Sequence, residues 1–308
     1  MKEKLSDIIS REKTLLKEIE QQSLEHFASS IFEVNRNCVN ILKTMISIQS
    51  ELIENSTKIL TSFASIRFSL EALIQTKLLL REPEYTYKLY YSIYNHQIDK
   101  TNKLIERLKL EISIIEEFEE RDIDNKKFDP LIIDYQLPSE EIIKSIKPVE
   151  NELYDEADKI INIFWGDFRK HGFSYTGYFL KNKTLKDLDS RLDEVNSLKI
   201  KKAKQLLQNN ELNNIFDFKR QYSRVFKELK DDRSWRQKAK ETELENEYNL
   251  VYDFTSAIIH ATSYSFSTKN KYQGREEYMA IDMITQYSNR IISNLKMYID
   301  NNEINSNH

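Results

Sequence analysis

Residues 247–266 read EYNLVYDFTSAIIHATSYSF. Every fourth position from Tyr248 carries a hydroxyl or imidazole side chain: Tyr248, Tyr252, Ser256, His260 and Tyr264. In an α-helix, residues four apart lie almost one above another, so these five make one slowly drifting stripe. Leu250, Val251, Phe254, Ala257, Ile258 and Ala261 occupy much of the remaining circumference. A helix apolar on several sides is an interior helix. Its polar stripe therefore needs partners, because a buried polar group left alone costs about 1–3 kcal/mol.

Composition extends the helical reading to the whole chain. Only four Gly and four Pro occur in 308 residues, too few for the turns that strands and hairpins demand. Seventeen Tyr, fifteen Phe and two Trp, within 40% hydrophobic residues, are enough to build a core. The expected class is all-α, a bundle of long helices. The single cysteine, Cys38 in VNRNCVNIL, excludes an intramolecular disulfide and a cysteine-based zinc site, and its apolar neighbours mark it as a small core residue. The N-terminal MKEKLSDIISREKTLLKEIE is charged throughout and lacks the apolar core of a leader. No stretch reaches the ~18 apolar residues of a membrane span, so a cytoplasmic location is expected.

Apolar positions at helical spacing run through the first 54 residues, from Leu5, Ile8 and Ile9 to Ile46 and Ile53. They predict an amphipathic segment, one long helix or a pair joined near Gln21–Glu25, that is a candidate surface for a protein partner or a second copy of the chain. A bundle core over 55–308 follows, with an acidic linker at about 119–148 where helical periodicity lapses. The two parts are expected to form one composite domain. Asn55 and Ser56 suggest a helix start, and Pro83 should end that helix because proline disfavours helical geometry in its predecessor. Gly166, Gly172 and Gly177 in WGDFRKHGFSYTGYFL predict an irregular aromatic loop around 165–180. One long helix is expected from about Trp235 to Ser265.

Charge is unevenly spread. Glu111–Asp158 holds sixteen acidic residues against five basic, whereas Lys181–Lys240 holds seventeen basic against nine acidic. Such runs are usually solvated helix faces, but the basic one, around Lys219–Arg236, is also a candidate guide for a polyanion.

The comparable polar feature elsewhere is R67-F-S-L-E71, a charged pair four apart among Phe63, Ile66, Leu70, Leu73 and Ile74. Taking two charges from water costs several kcal/mol per ion and is tolerated only when they are paired and hydrogen-bonded. Three readings stay open. The pair locks helices together with His260 as a satisfied core histidine; or Arg67 binds an anion, Glu71 orients it or acts as a base, and His260 moves a proton near neutral pH; or the pair and His260 never meet. His96 and Asp99 lie one turn apart but lack further metal ligands, and His171 is a lone loop histidine. No cofactor or metal is expected.

Arg67-x3-Glu71 in an early apolar helix, Trp235 in DDRSWRQKA, and Tyr248-x3-Tyr252-x3-Ser256-x3-His260 together resemble a bacterial family of all-helical proteins. That family is similar to the HEPN group (higher eukaryotes and prokaryotes nucleotide-binding), whose members often act as ribonucleases in toxin, abortive-infection and phage-defence systems. The resemblance covers roughly 56–100 and 230–268. It implies RNA or a nucleotide as partner, a metal-independent ribonuclease as candidate activity, and His260, Arg67 and Glu71 as site residues flanked by Tyr248, Tyr252, Ser256, Tyr264 and Arg236. HEPN ribonucleases carry an arginine four to six residues before a histidine; none of the five histidines here has one.

Overall fold

The computed structural model describes residues 2–25, 30–55, 59–127, 151–166, 168–208, 229–259 and 275–306. Among them there is no strand, and the protein is all-α. The helices are α1 (Lys2–Glu25), α2 (Ser30–Asn55), α3 (Ile59–Arg81), α4 (Tyr85–Lys127), α5 (Phe168–Phe179), α6 (Leu185–Gln208), α7 (Trp235–Glu241), α8 (Glu245–Ile259) and α9 (Arg275–Ser306). Residues 151–158 are also helical, and Leu180–Thr184 form a π-helical segment joining α5 to α6. Gln21–Glu25, expected as a junction, are the last turn of α1, and Asn55, expected to open a helix, ends α2; α4 also carries the helix through 119–127 of the expected linker, while 26–29, 56–58 and 128–150 lie outside the described residues.

Two compact units emerge, one discontinuous in sequence. Met1–Tyr90 and Leu229–His308 form the first, and Tyr91–Glu228 the second. In the first, α3 is the hub: α9, α8, α2 and α7 all pack on it, while α1 packs on α2 and α9. The apolar stripe of the first 54 residues is consumed here. Leu5, Ile8, Leu15, Ile19, Leu42 and Met45 are buried in the same cluster as Leu70, Leu73, Ile284 and Leu295. That face is filled by the chain's own helices.

A polar triplet crosses this core. Gln49 of α2 donates from Nε2 to Glu12 Oε1 of α1 at 3.0 Å and to Ser288 Oγ of α9 at 2.9 Å. All three residues are fully buried. Burial pushes the Glu12 carboxyl from 4.5 up to about 7, against the lowering pull of its hydrogen bonds. Cys38 is buried as expected, and its thiol is pushed up to about 12.

The second unit gathers Leu108, Ile112, Ile115 and Phe118 of α4 against Leu153, Ala157, Trp165, Phe168, Phe173 and Leu180. The stretch expected to be an irregular loop over 165–180 is instead helical from Phe168 onward. Gly172, at φ 75°, joins two helical pieces across a kink. Gly177 sits inside the helix because a Cβ there would meet Ile115 Cγ2 at 3.0 Å. The aromatic side chains that suggested a loop are the packing surface: Phe173 stacks on Phe118 and on Tyr154.

Glu111 anchors the segment before α5. Its side chain is fully buried and accepts the backbone N–H groups of Ile163 and Phe164, each at 2.9 Å, and Arg107 Nε at 2.7 Å. Arg107 also donates to the carbonyl of Ile161. One carboxylate of the acidic run is thus an interior acceptor.

The long helix expected from Trp235 is two helices. Ser234 and Gln237 form a reciprocal capping box at the start of α7. Its end is a Schellman motif: Leu244 N–H bonds Ala239 C=O at 2.7 Å and Glu243 N–H bonds Lys240 C=O at 3.1 Å. The left-handed position belongs to Glu243, at φ 62°, where glycine is usual. Leu244 and Ala239 are both fully buried, the apolar contact that accompanies the motif.

Candidate functional site

The site is assembled where α3 meets α8. Arg67 and Glu71 lie one turn apart on α3, and Arg67 Nε donates to Glu71 Oε1 at 3.0 Å. Tyr248 and Tyr252 lie one turn apart on α8, with rings stacked at 5.8 Å and 28°. The guanidinium carbon of Arg67 stands 5.1 Å from the centre of the Tyr252 ring. Just below, Phe63 and Phe254 meet edge to face at 4.8 Å and close the seam.

This is a rim rather than a sealed core. The Arg67 and Glu71 side chains keep 29% and 21% of their exposure, and Tyr252 keeps 41%. Partial burial opposes the charge on Arg67, but the hydrogen bond and charge of Glu71 outweigh it and raise its pKa further. Tyr248 is raised as well, first by burial and then by the charge of Glu71. Both shifts keep the protons in place. The arrangement is a charged cation held on an aromatic face, with Glu71 fixing its orientation.

Among the described residues, both terminal nitrogens of Arg67 have no hydrogen-bond acceptor. Farther along α8, the buried Ser256 hydroxyl oxygen has no partner among the described residues, while its neighbour Thr255 bonds back to the Val251 carbonyl at 2.7 Å. His260 and Tyr264 lie outside the described residues.

Arg236 does not join the group. It pairs with Glu245 Oε1 at 3.1 Å, from α7 to the first turn of α8. The described end of the basic run is likewise paired internally, and 219–228 lie outside the described residues. Arg233 binds the carboxylates of Asp231, Glu241 and Glu82 at 2.9, 2.6 and 3.3 Å and lies over the Tyr85 ring. Lys238 takes the other oxygen of Asp231 at 3.0 Å. Burial would raise the Asp231 carboxyl, yet the two cations win and hold it below the ordinary range.

His171 is exposed and lies beside Tyr175. Among the described residues no group of three His, Cys, Asp or Glu is placed to hold a metal ion, and no helix is long and apolar enough to cross a membrane. The chain matches no protein-family model, no curated protein and no solved structure.

Proposed function

We propose that the first unit is a HEPN-like helical module that binds the phosphate of a nucleotide or of an RNA strand at Arg67, Glu71 and Tyr252. The observation that supports this reading is the guanidinium of Arg67: fixed by Glu71 at Nε, backed by Tyr252, and offering two terminal nitrogens toward solvent. A planar fork with its orientation already set is the donor geometry that phosphate oxygens fit. Neutralisation of Arg233, Arg236 and Lys238 favours one local phosphate contact over an extended polyanion track. Any cleavage would rest on His260 as proton carrier, and the setting would be phage defence or toxin activity.

The test is binding of a labelled single-stranded RNA by fluorescence anisotropy and of ATP by calorimetry, for wild type and Arg67→Gln. The proposal expects binding by wild type and its loss in the variant, with the helical circular dichroism unchanged. Equal binding in the two proteins sinks the phosphate role of Arg67. RNA cleavage and cell toxicity, compared between wild type and His260→Ala, test the catalytic part; equal activities reject it.

A second reading follows from the seam itself. Arg67, Glu71, Tyr248 and Tyr252 also cement α3 to α8, as a non-catalytic interaction module would require. Under it, Arg67→Met with Glu71→Leu melts at or above the wild-type temperature and every cellular effect of the protein persists.

A further inference from the structure

A concavity of the first unit, part polar and part apolar, lies at the C-terminal end of α3. It encloses about 430 Å3, within the ~300–1,000 Å3 usual for small-molecule sites. Lys77 and Arg81, one turn apart, border it. Each donates to a carbonyl at the end of α7: Lys77 Nζ to Thr242 at 2.9 Å, and Arg81 Nη1 to Glu241 at 2.7 Å. These bonds leave two donors on Lys77 and four on Arg81. Neither cation pairs with a carboxylate among the described residues, although Glu241 and Glu243 share the wall. The Glu241 carboxylate is taken by Arg233.

Two further features point into the same space. Asn294 of α9 lines the cavity, and its buried Nδ2 has no acceptor among the described residues. Glu243, also on the wall, holds the left-handed backbone described above. Such strain costs about 1–3 kcal/mol and concentrates at ligand sites. Leu80 and Met297 supply an apolar side, with Met297 64% exposed.

We propose that this cavity binds a small organic anion, a carboxylate or phosphate head on an apolar body. Lys77, Arg81 and Asn294 hold the head, and Leu80 and Met297 hold the body. Surplus donors around an open volume call for an acceptor-rich ligand, and the apolar wall exceeds what a bare inorganic ion would cover. The site is separate from that of Arg67, because Lys77 lies about 15 Å farther along α3 at ~1.5 Å per residue.

The full chain labelled with 13C at its five methionine methyls tests this, with Met297 at the cavity and fully buried Met45 as internal control. Phenyl phosphate, phenylacetate, inorganic phosphate and benzyl alcohol are titrated in turn. Phenyl phosphate or phenylacetate is expected to shift Met297 and leave Met45 in place, the tighter of the two identifying the head group. Inorganic phosphate should bind about tenfold more weakly or worse, and benzyl alcohol not at all. Lys77→Gln with Arg81→Gln keeps N–H donors for both carbonyls and should weaken binding about tenfold or more. Asn294→Leu, which leaves those bonds untouched, should weaken it too, and Arg67→Gln should not. A still Met297 with both organic anions, equal binding of benzyl alcohol, or undiminished affinity in both cavity variants overturns the proposal.

Discussion

Replacing Glu12 by Gln should make the protein more stable above neutral pH and change little in acid. The carboxyl lies in a buried junction of α1, α2 and α9, where burial raises it to about 7 against 4.5 for an ordinary glutamate. Below pH ~4.5 the group is protonated in both folded and unfolded chains and contributes no difference. Between that point and about pH 7 the folded chain holds more protons, so stability falls as pH rises. Above it, ionised Glu12 costs about 3 kcal/mol at ~1.4 kcal/mol per pH unit. Glutamine cannot ionise and keeps an oxygen for Gln49 Nε2 and Ser288.

The assay is urea unfolding at pH 5, 6, 7 and 8 in a Trp165→Phe background, where Trp235 alone reports on the first unit. Wild type should lose stability across this range and Glu12→Gln should not, with a gap of about 2–3 kcal/mol at pH 8 that nearly closes at pH 5. Parallel pH profiles, or a variant less stable than wild type at pH 8, would show that Glu12 is not held in a proton-favouring environment.

Three further outcomes test other parts of the fold. Glu111→Ala strips two backbone N–H groups and Arg107 of their acceptor and should destabilise the second unit by about 3–5 kcal/mol, read by Trp165 fluorescence during unfolding. Glu243→Gly relieves the left-handed strain and should add up to about 1 kcal/mol of stability in the same measurement on Trp235. Cys38, buried and strongly proton-holding, should react with an aromatic disulfide reagent only as fast as the first unit unfolds.

Where periodicity alone decides, the sequence was readable. The stripes of α1 and α2, the stop of α3 before Pro83, and the Arg67–Glu71 bond at helical spacing all follow from side-chain geometry along one helix. The meeting of that pair with Tyr248 and Tyr252 did not follow so directly: burial was the reason to expect partners, and the two polar stripes instead meet at a half-exposed rim. The break at Glu243 carried no signal, because its left-handed position lacks the glycine that normally marks one. The 165–180 stretch misled because its glycines serve a kink and a close approach to Ile115 rather than a loop. Arg107 and Glu111 had the same four-residue spacing among Leu108, Ile112 and Ile115 that exposed Arg67 and Glu71. The surrounding acidic run hid it. Glu12 and Gln49 meet only through tertiary contact between α1 and α2, which no local pattern encodes.

The division of the first unit has a consequence for how the chain is made. Its hub, α3, is completed by α7, α8 and α9, which the ribosome delivers only after the whole of Tyr91–Glu228. At ~5–20 residues per second, about 140 intervening residues take roughly 7–28 s. At the end of that interval α1, α2 and α3 still present Leu15, Leu42, Leu70 and Leu73 with no α9 to cover them, while the second unit has all of its chain. The nascent protein therefore passes through a stage in which the later half is ready to fold and the earlier half still waits for its closing helix, the stage at which a chaperone or a stalled ribosome would meet it.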